Sequence, residues 1–336
     1  MVETMHRFWL RALNYTPLAL CAGVLAVFGS LSGKFLETQN LLNILIQSSS
    51  AAIVATGMTF VLLTGGVDLS VGAIMFLSAV VAGKMVLGGI TLPWALGVML
   101  LVGIGFGAVN AFFITRMRIM AFVVTLATLY LGRGLGLWVT ETRAMNLPES
   151  FLKLGVARVV GVPLPVVILG GVVLGAHLIL TRTPFGRQIY AVGNDLEAAR
   201  KAGIRPTGIL ASVYVLSGVC AAIGGMVSLA QLGAVSPTFG NQREFTAIAA
   251  AVLGGTSLFG GRGQVLPGTV LGAVLMQTVE NGLVILNADP YLYPLITSGI
   301  IFGAVLIDSA RHTFLARLGR RRIRLEKPSA ACDDVV

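Results

Sequence analysis

The sequence predicts an all-α, polytopic integral membrane protein, and three observations lead to this prediction. Of its 336 residues, 56% are hydrophobic and only 11% are charged, whereas soluble domains carry about 25% charged residues. Glycine is abundant, at 42 residues, as is typical of helices that pack closely in lipid. Apolar stretches recur that are long enough to cross roughly 30 Å of hydrocarbon.

Ten apolar segments are predicted to cross or enter the membrane, and some are short or interrupted by glycine. They are residues 15–33, 41–63, 70–88, 92–115, 119–140, 163–181, 207–232, 245–260, 265–287 and 292–310. The segment 245–260 is short and glycine-rich, which is compatible with a half-inserted helix. A weak internal repeat relates residues 52–66 to 247–261, since both begin with Ala-Ile and end with Gly-Gly. Duplicated halves are common among transporters.

The distribution of basic residues explains the net charge of +10. With the N-terminus in the cytoplasm and ten crossings, seventeen of the 24 Lys and Arg residues fall on the cytoplasmic side and six on the other. Basic residues accumulate in short cytoplasmic loops. Both termini and residues 182–206 are therefore predicted to be cytoplasmic. Residues 1–14 form an N-terminal segment with no signal-peptide cleavage site, 15–310 the transmembrane domain and 311–336 a basic tail, and nucleic-acid binding is not indicated.

Catalytic motifs are missing from the sequence. It contains no G-x-x-x-x-G-K-[ST] phosphate-binding loop, and its three Cys and three His residues do not have metal-ligand spacing. The chain is therefore predicted to be neither an ATPase nor another enzyme, and to need no metal or cofactor.

The segment GRQIYAVGNDLEAARKAGIRP, residues 186–206, is polar and lies between two long apolar segments. Asn194 as N-cap and Glu197 three positions later predict a capping box, and Gly203 followed by a proline predicts the end of the helix. The helix is expected from about 195 to 202. A helix this short is marginal in water, so packing must hold it.

Apolar side chains at helical spacing predict which face of this segment packs on the membrane domain. They are Ile189, Val192, Leu196 and Ala199. The charged residues lie largely on the other side and leave a face for a partner. The alternative is a capped loop helix that only covers its own membrane domain.

Asp68, in TGGVDLS, interrupts apolar sequence. It is either the N-cap of a helix that starts near Leu69, with Gly65 and Gly66 ending the preceding helix, or part of a break in a membrane helix whose freed backbone groups line a cavity. Both can hold.

Two further charged residues lie within predicted spans. Arg133 either pairs with a carboxylate such as Glu280 or donates hydrogen bonds in a solute pathway. Glu280 is either a membrane-edge cap or part of that pathway. Gly254 and Gly255 lie in the glycine-rich segment and are a second candidate helix break.

Four stretches resemble the permease subunits of ATP-binding-cassette importers, in the branch that imports ribose, galactose, xylose and related monosaccharides. They are GMTFVLLTGGVDLSVGAIM (57–75), AVGNDLEAARKAGI (191–204), IAAAVLGGTSLFGGRG (248–263) and ENGLVIL (280–286). The resemblance runs from about residue 40 to 310. It departs at Thr246, where the family usually has an acidic residue, so the role of that acid is open here.

The resemblance implies an inner-membrane permease of a bacterial importer that moves a monosaccharide. Its partners would be a cytoplasmic ATPase, a periplasmic sugar-binding protein and a second permease chain, identical or paralogous. The residues implied to contact the ATPase are Gly186, Asn194, Glu197, Ala198, Ala199 and Gly203. Helix breaks or the translocation path would involve Gly65, Gly66, Asp68, Arg133, Gly254, Gly255 and Glu280. The alternative function is a secondary transporter driven by an ion gradient, with Asp68 or Glu280 binding the ion.

Overall fold

The computed structural model describes residues 16–320, and the chain there is almost entirely helical. Its helices are α1 (Thr16–Leu31), α2 (Thr38–Leu63), α3 (Val71–Leu87), α4 (Leu92–Thr115), α5 (Ala121–Thr140), α6 (Glu149–Val156), α7 (Leu164–Arg182), α8 (Pro184–Asn194), α9 (Leu196–Lys201), α10 (Pro206–Leu232), α11 (Arg243–Leu253), α12 (Val270–Ile285) and α13 (Leu292–Arg320). A 3₁₀ turn, Gly33–Leu36, precedes α2, and a π-type turn, Val265–Thr269, precedes α12. The predicted segment 1–14 and residues 321–336 of the predicted tail lie outside the described residues.

The all-α, membrane-spanning prediction is confirmed. Six helices are long and apolar enough to cross a bilayer: Thr38–Leu63, Leu92–Thr115, Ala121–Thr140, Leu164–Arg182, Pro206–Leu232 and Val265–Ile285. Three shorter apolar helices accompany them: Leu18–Leu31, Val71–Leu87 and Leu292–Leu306. The figure of ten crossings stays a prediction.

The helix expected within 245–260 is shorter than the apolar segment. α11 has 11 residues, about 16 Å at 1.5 Å per residue, and ends before Gly254. The two copies of the sequence repeat therefore differ in structure. The first copy stays helical to Leu63, two residues before its Gly-Gly pair, whereas the second leaves the helix at Leu253, seven residues before its pair at Gly260.

Helices α2, α4 and α10 form the centre of the bundle, where α10 packs along both of the others. Small residues allow α4 and α10 to approach closely. A Cβ added to Gly107 would lie 2.7 Å from both the carbonyl oxygen of Tyr214 and the Cα of Val215. Gly103 meets the backbone of Gly218 in the same way. Close backbone contact replaces the hydrophobic driving force that helices in lipid lack.

The two ends of the bundle carry different structures. At the far end, β1 (Met145–Asn146) pairs antiparallel with β4 (Ala234–Val235), and β2 (Arg158–Val159) pairs with β3 (Val162–Pro163). The near end, named here for α8, α9 and the carboxyl end of α2, has no such cover among the described residues. The loops at the far end are therefore held by short β-pairs, whereas in the described residues the loops at the near end are held by other contacts.

The α4–α10 contact predicts that Gly107→Ala destabilises the bundle. The new methyl group would meet backbone atoms that cannot move aside, so we expect a loss of about 1–3 kcal/mol, measured by thermal unfolding in detergent. Gly105→Ala is the matched control, because nothing lies within 4 Å of a Cβ at that position of the same helix. It should be neutral or slightly stabilising. Equal melting temperatures for the two variants would contradict close α4–α10 packing.

Candidate functional site

The span that contains Asp68 is broken, as the glycine pair predicted. α2 ends at Leu63, and Gly65 takes the left-handed conformation with φ +76°. Residues 64–70 are then non-helical until α3 begins at Val71. Gly66 packs under the Tyr214 hydroxyl, which a Cβ there would approach to 2.5 Å. The chain thus leaves α2 at the near end and resumes as a helix inside the bundle.

Asp68 is fully buried and joins the break to α10. Its Oδ1 accepts hydrogen bonds from the Ser70 amide at 3.0 Å and the Ser70 hydroxyl at 2.6 Å. Its Oδ2 accepts from the Ser217 hydroxyl at 2.7 Å. The helix starts at Val71, close to the predicted Leu69, but its N-cap is Ser70 and not Asp68, because Asp68 holds Ser70 in a turn before the helix begins.

The Asp68 contacts continue into two more helices. The amide of Asn110 donates to the Ser70 hydroxyl at 2.9 Å, and the Thr128 hydroxyl donates to Asn110 at 2.8 Å. All of these side chains are buried. One polar chain therefore fixes the break against α4, α5 and α10, and supplies the hydrogen bonds that the apolar interior cannot.

A second broken span lies between β4 and α11. β4 is at the far end, yet the loop that follows it reaches the first turn of α3, where a Cβ on Gly240 would lie 2.6 Å from the carbonyl oxygen of Gly72. Along α3, Gly72 is eleven residues from Gly83, and Gly83 contacts Met145 and Leu147 of the far end. The loop 236–242 therefore descends about 16 Å into the bundle before α11 starts.

The amino ends of α3 and α11 consequently meet inside the bundle. Glu244, in the first turn of α11, is 7% exposed and its Oε2 contacts Gly72 in the first turn of α3. A carboxylate is favoured at the positive end of a helix dipole, and this one lies beside two such ends. Its Oε2 is without a hydrogen-bond partner among the described residues.

Arg133 holds the inserted loop and does not pair with Glu280. Its Nη1 donates to the carbonyl of Phe239 at 2.7 Å, and its guanidinium lies over the ring of Phe76, 5.1 Å from the centroid. Glu244 is near enough to interact with it electrostatically. The half-buried arginine thus satisfies a backbone carbonyl that the loop would otherwise leave bare in the bundle.

At the near end, the carboxyl end of α2 meets the loop after α11. The amide of Gly261 donates to the carbonyl of Leu63 at 2.9 Å. Gly193 of α8 lies against this bond, since a Cβ there would be 2.6 Å from the Gly261 nitrogen and nearer still to the Leu63 oxygen. Gly260 in turn packs on the backbone of Gly193 and Gly65. We call this contact of Leu63, Gly65, Gly193, Gly260 and Gly261 the glycine junction.

Two side chains of α8 reinforce the glycine junction. The Tyr190 hydroxyl donates to the carbonyl of Gly263 at 2.8 Å. The side chain of Asn194 lies against Gly261, whose φ is +69° and which has no room for a Cβ. The end of α8 therefore contacts both glycine-rich stretches of the sequence repeat.

The prediction that Asn194 caps the helix at 195–202 is wrong. Asn194 is the last residue of α8, and Asp195 is the N-cap of α9, with its Oδ1 accepting from the amides of Glu197 at 2.9 Å and Ala198 at 3.0 Å. The segment forms two helices because Asp195 adopts an extended conformation between them, with φ −159°. The helix end was predicted correctly, with Gly203 at φ +83°.

The predicted apolar stripe is buried at three of its four positions. Ile189, Val192 and Ala199 are between 0 and 4% exposed, whereas Leu196 is 39% exposed. The bend at Asp195 turns Leu196 away from the face that α8 buries. Glu197 pairs with Arg200 at 3.3 Å on the exposed side of α9.

The remaining predicted glycines are positions of close backbone approach. Gly186, in the first turn of α8, lies against Leu180 of α7. A Cβ added to Gly186 would lie 2.6 Å from the Cα of Leu180. Gly254 ends α11 against Gly268 and Thr269, and Gly255 has φ +91°. A break at 254–255 therefore exists, with Gly268 completing the contact.

Glu280 lines a groove of about 850 Å³ on the faces of α2, α11, α12 and α13, in which polar and apolar side chains are mixed. Polar side chains of this groove include Gln47, Thr246, Gln277, Asn281 and Thr297. Gln277 donates to Gln47 at 3.1 Å. Asn281 exchanges hydrogen bonds with Asn40 on α2, at 3.0 and 3.1 Å. Glu280 thus lies in a groove whose polar side chains are partly hydrogen-bonded to one another and are interspersed with apolar ones.

Sequence reasoning singled out neither Glu244 nor Gly193 as a functional residue. Glu244 falls between the predicted segments 207–232 and 245–260, although an acid that directly precedes an apolar run is a signal that could have marked the start of an inserted helix. Gly193 is the penultimate residue of α8 and carries no special backbone angle, so only the fold shows its contact. Within residues 16–320, no group of three or more His, Cys, Asp or Glu side chains is placed to hold a metal ion.

The comparisons with known proteins agree on one group of transport proteins. Residues 40–309 match the family described as branched-chain amino acid transport system / permease component. The ribose import permease protein RbsC of Escherichia coli K12 is 38% identical over 293 residues, covering 86% of this chain and 91% of RbsC.

Two further relatives come from the same organism. The D-allose transport system permease protein AlsC is 36% identical and covers 88% of this chain and 91% of its own length. The xylose transport system permease protein XylH is 31% identical, with coverages of 90% and 93%. No solved structure matches the chain.

The glycine junction predicts that Gly193→Ala loosens α8 and α9. The added methyl group must displace the Leu63 carbonyl or the Gly261 amide, so amide hydrogen exchange across residues 186–204 should quicken at least several-fold. Gly208→Ala is the control, because a Cβ there meets nothing within 4 Å. Exchange that is as slow in Gly193→Ala as in the wild type would show that the contact is not a constraint.

Proposed function

Because this chain belongs to the family of branched-chain amino acid transport system permease components, we propose that it is the membrane-spanning subunit of an ATP-binding-cassette importer. Its membership is shown by the family match over residues 40–309, which are 270 residues. It is also shown by relatives whose alignment to this chain covers more than nine-tenths of their own length. Transport subunits of this kind do no covalent chemistry. A separate ATPase would hydrolyse the nucleotide.

The proposed substrate is a monosaccharide. The family description names branched-chain amino acids, but three relatives that are 31–38% identical are named for ribose, D-allose and xylose. Identity to individual relatives is a finer guide than a family description. A test is uptake of radiolabelled D-ribose, D-allose and D-xylose by cells that carry the complete importer, compared with cells that lack this chain.

The proposed orientation places the near end and both termini in the cytoplasm of a bacterial inner membrane. The distribution of Lys and Arg supports it. The far end, with its short strands and α6, would then receive sugar from a periplasmic binding protein. A second permease chain would complete the complex.

The proposed ATPase contact is the segment 186–206. Its short helix α9 exposes Leu196, Glu197 and Arg200, while α8 behind it is buried on one face. Residues implied by the family resemblance divide accordingly: Glu197 and Ala198 are exposed, whereas Gly186 and Ala199 are buried and position the helix. A partner that pushes on α9 would therefore push on the glycine junction.

The glycine junction gives this push a route to both broken spans. Leu63 ends α2 and begins the break that contains Asp68, and Gly261 lies in the loop that leads from α11 to α12. We propose alternating access, in which closure of the ATPase pair shifts α8 and α9 and the broken spans move with them. A movement at the near end would thus change whether the sugar can enter the bundle from the far end.

Reversing the charge on α9 should uncouple the ATPase. We expect Glu197→Arg to lower the amount of ATPase that co-purifies with the chain at least tenfold and to abolish sugar uptake, since every charged side chain of α9 would then be positive. Glu149→Arg is the control for co-purification, because Glu149 is also an exposed acid and lies on α6 at the far end. It should retain the ATPase.

Two results would count against the proposal. Normal co-purification and uptake in Glu197→Arg would argue against docking on α9. Sugar accumulation by the purified chain alone in liposomes, driven by an ion gradient, would identify a secondary transporter instead.

A further inference from the structure

The chain between α6 and α7 forms a small hairpin at the far end of the bundle. Strands β2 and β3 pair antiparallel, and Val160 and Gly161 are the two residues of the turn. Both have a positive φ, +49° at Val160 and +82° at Gly161, which is the pattern of a type I′ turn. The base of the hairpin is joined directly to α7, since the Leu164 amide donates to the carbonyl of Ala157 at 2.8 Å.

Valine is an unusual residue for the first position of this turn. A type I′ turn favours Asn-Gly, Asp-Gly or Gly-Gly, because these residues tolerate the left-handed conformation. In Val160 the branched side chain crowds the backbone at these angles. The side chain gains no internal packing in return, because the residue is 98% exposed. Strain of this kind is expected where a side chain contacts something outside the chain.

The surface around this residue is aliphatic. Val159 and Val162 face each other across the two strands and are 46% and 43% exposed. Val156, at the end of α6, is 77% exposed. Arg158 is the one charged residue of the hairpin, and its exposed side chain makes no ion pair with any residue that the structure describes. Exposed clusters of apolar side chains mark sites of contact with proteins or membranes.

The hairpin lies at the edge of the bundle, on a helix that faces lipid. Among the helices it packs mainly on α7. Only 28% of the apolar stretch of α7 is buried inside the molecule, compared with 83% for α2. Val167 and Leu174 on α7 are 38% and 55% exposed, so the lipid-facing surface begins one turn after Leu164. The aliphatic hairpin therefore directly precedes a surface that acyl chains cover.

The length of the hairpin brings its tip within reach of the headgroup layer. α7 has 19 residues, about 28 Å at 1.5 Å per residue, which matches a hydrocarbon core of about 30 Å. Leu164 therefore lies near the hydrocarbon edge. Val160 is four residues away along β3, at most about 13 Å. The headgroup layer is roughly 5–8 Å thick on each side, so a hairpin inclined toward the bilayer places its tip inside this layer.

Two tryptophans mark the membrane interface at the same end. Trp94 is in the first turn of α4 and Trp138 in the last turn of α5, and they are 73% and 78% exposed. Tryptophan accumulates where the bilayer meets water. The helix ends around the hairpin are therefore at the level at which an apolar tip can meet lipid.

We propose that the β2–β3 hairpin is a membrane anchor whose tip, Val160, inserts into the boundary between headgroups and acyl chains at the far end. Insertion removes the valines from water. It also brings the guanidinium of Arg158 to the headgroup phosphates, which arginine binds through two N–H groups. The anchor fixes the amino end of α7 relative to the bilayer surface. The inference does not depend on the substrate or on the ATPase contact.

The first test measures the depth of Val160 in the full-length chain, with its three native cysteines replaced by alanine, in phospholipid vesicles. A nitroxide on Val160→Cys should collide with oxygen, relative to a water-soluble nickel chelate, at least threefold more often than a nitroxide on Glu149→Cys. Glu149 is the aqueous control, because its side chain is 85% exposed at the same end, and Leu174→Cys is the lipid-facing control. A Val160→Cys ratio equal to that of Glu149→Cys would overturn the anchor.

The second test separates the side chain from the turn. Asparagine suits the left-handed position better than valine, so Val160→Asn keeps the hairpin formed but presents an amide to the acyl chains. The oxygen-to-nickel ratio of a nitroxide on Val162→Cys should fall at least twofold in Val160→Asn and stay unchanged in Val160→Leu. An unchanged ratio in Val160→Asn, or an equal loss in both variants, would contradict insertion through this side chain.

A soluble partner is the competing explanation for the exposed valines, and the same labels distinguish it. Docking would leave Val160→Cys as accessible to nickel as Glu149→Cys in vesicles of the chain alone. Adding the periplasmic sugar-binding protein would then reduce collisions with both reagents, and this result would exclude the lipid anchor. An oxygen-rich Val160→Cys label that the added protein does not change would support it.

Discussion

A single backbone hydrogen bond organises the near end of the molecule: the amide of Gly261 satisfies the carbonyl of Leu63. The last carbonyls of a helix have no partner within it, and in α2 those of Val61 and Leu62 are taken by the turn at Thr64–Gly66. Leu63 must therefore be satisfied from elsewhere. The loop after α11 supplies the donor, and α8 can lie on the bond only because Gly193 has no side chain.

The same requirement explains the interior of the bundle. At each broken span, backbone N–H and C=O groups are freed in a place where lipid and packed side chains exclude water as a hydrogen-bond partner. Ser70 and Asp68 satisfy the first break, and Arg133 satisfies Phe239 in the second. Two acids, Asp68 and Glu244, lie beside the amino ends of the half-helices, where the dipole favours negative charge. The charged residues inside the bundle are therefore explained first by the backbone that they support.

Sequence reasoning predicted the helical class, the break at Gly65–Gly66 and the end of α9, because these depend on local composition and on glycine at left-handed positions. It placed the cap at Asn194 instead of Asp195, since both residue types cap helices and the deciding factor is the packing of α8 against α2. It also treated residues 233–244 as an outer loop. Polar residues such as Asn241 and Gln242 have the same sequence pattern in an outer loop and in a loop that enters the helical bundle.

The two broken spans also relate the near end to the groove. α11 is a rigid rod of about 16 Å whose carboxyl end leads into the loop of the glycine junction and whose amino end carries Arg243 and Thr246 in the groove. A helix that short cannot bend appreciably, so displacing one end displaces the other. A movement of α8 that shifts Gly261 would therefore be carried into the interior of the bundle without a continuous span having to move. Breaking a membrane helix removes backbone hydrogen bonds, and side chains must replace them. Asp68 and Arg133 do so at the two breaks, and α11 is left as a short helix between the glycine junction and the groove.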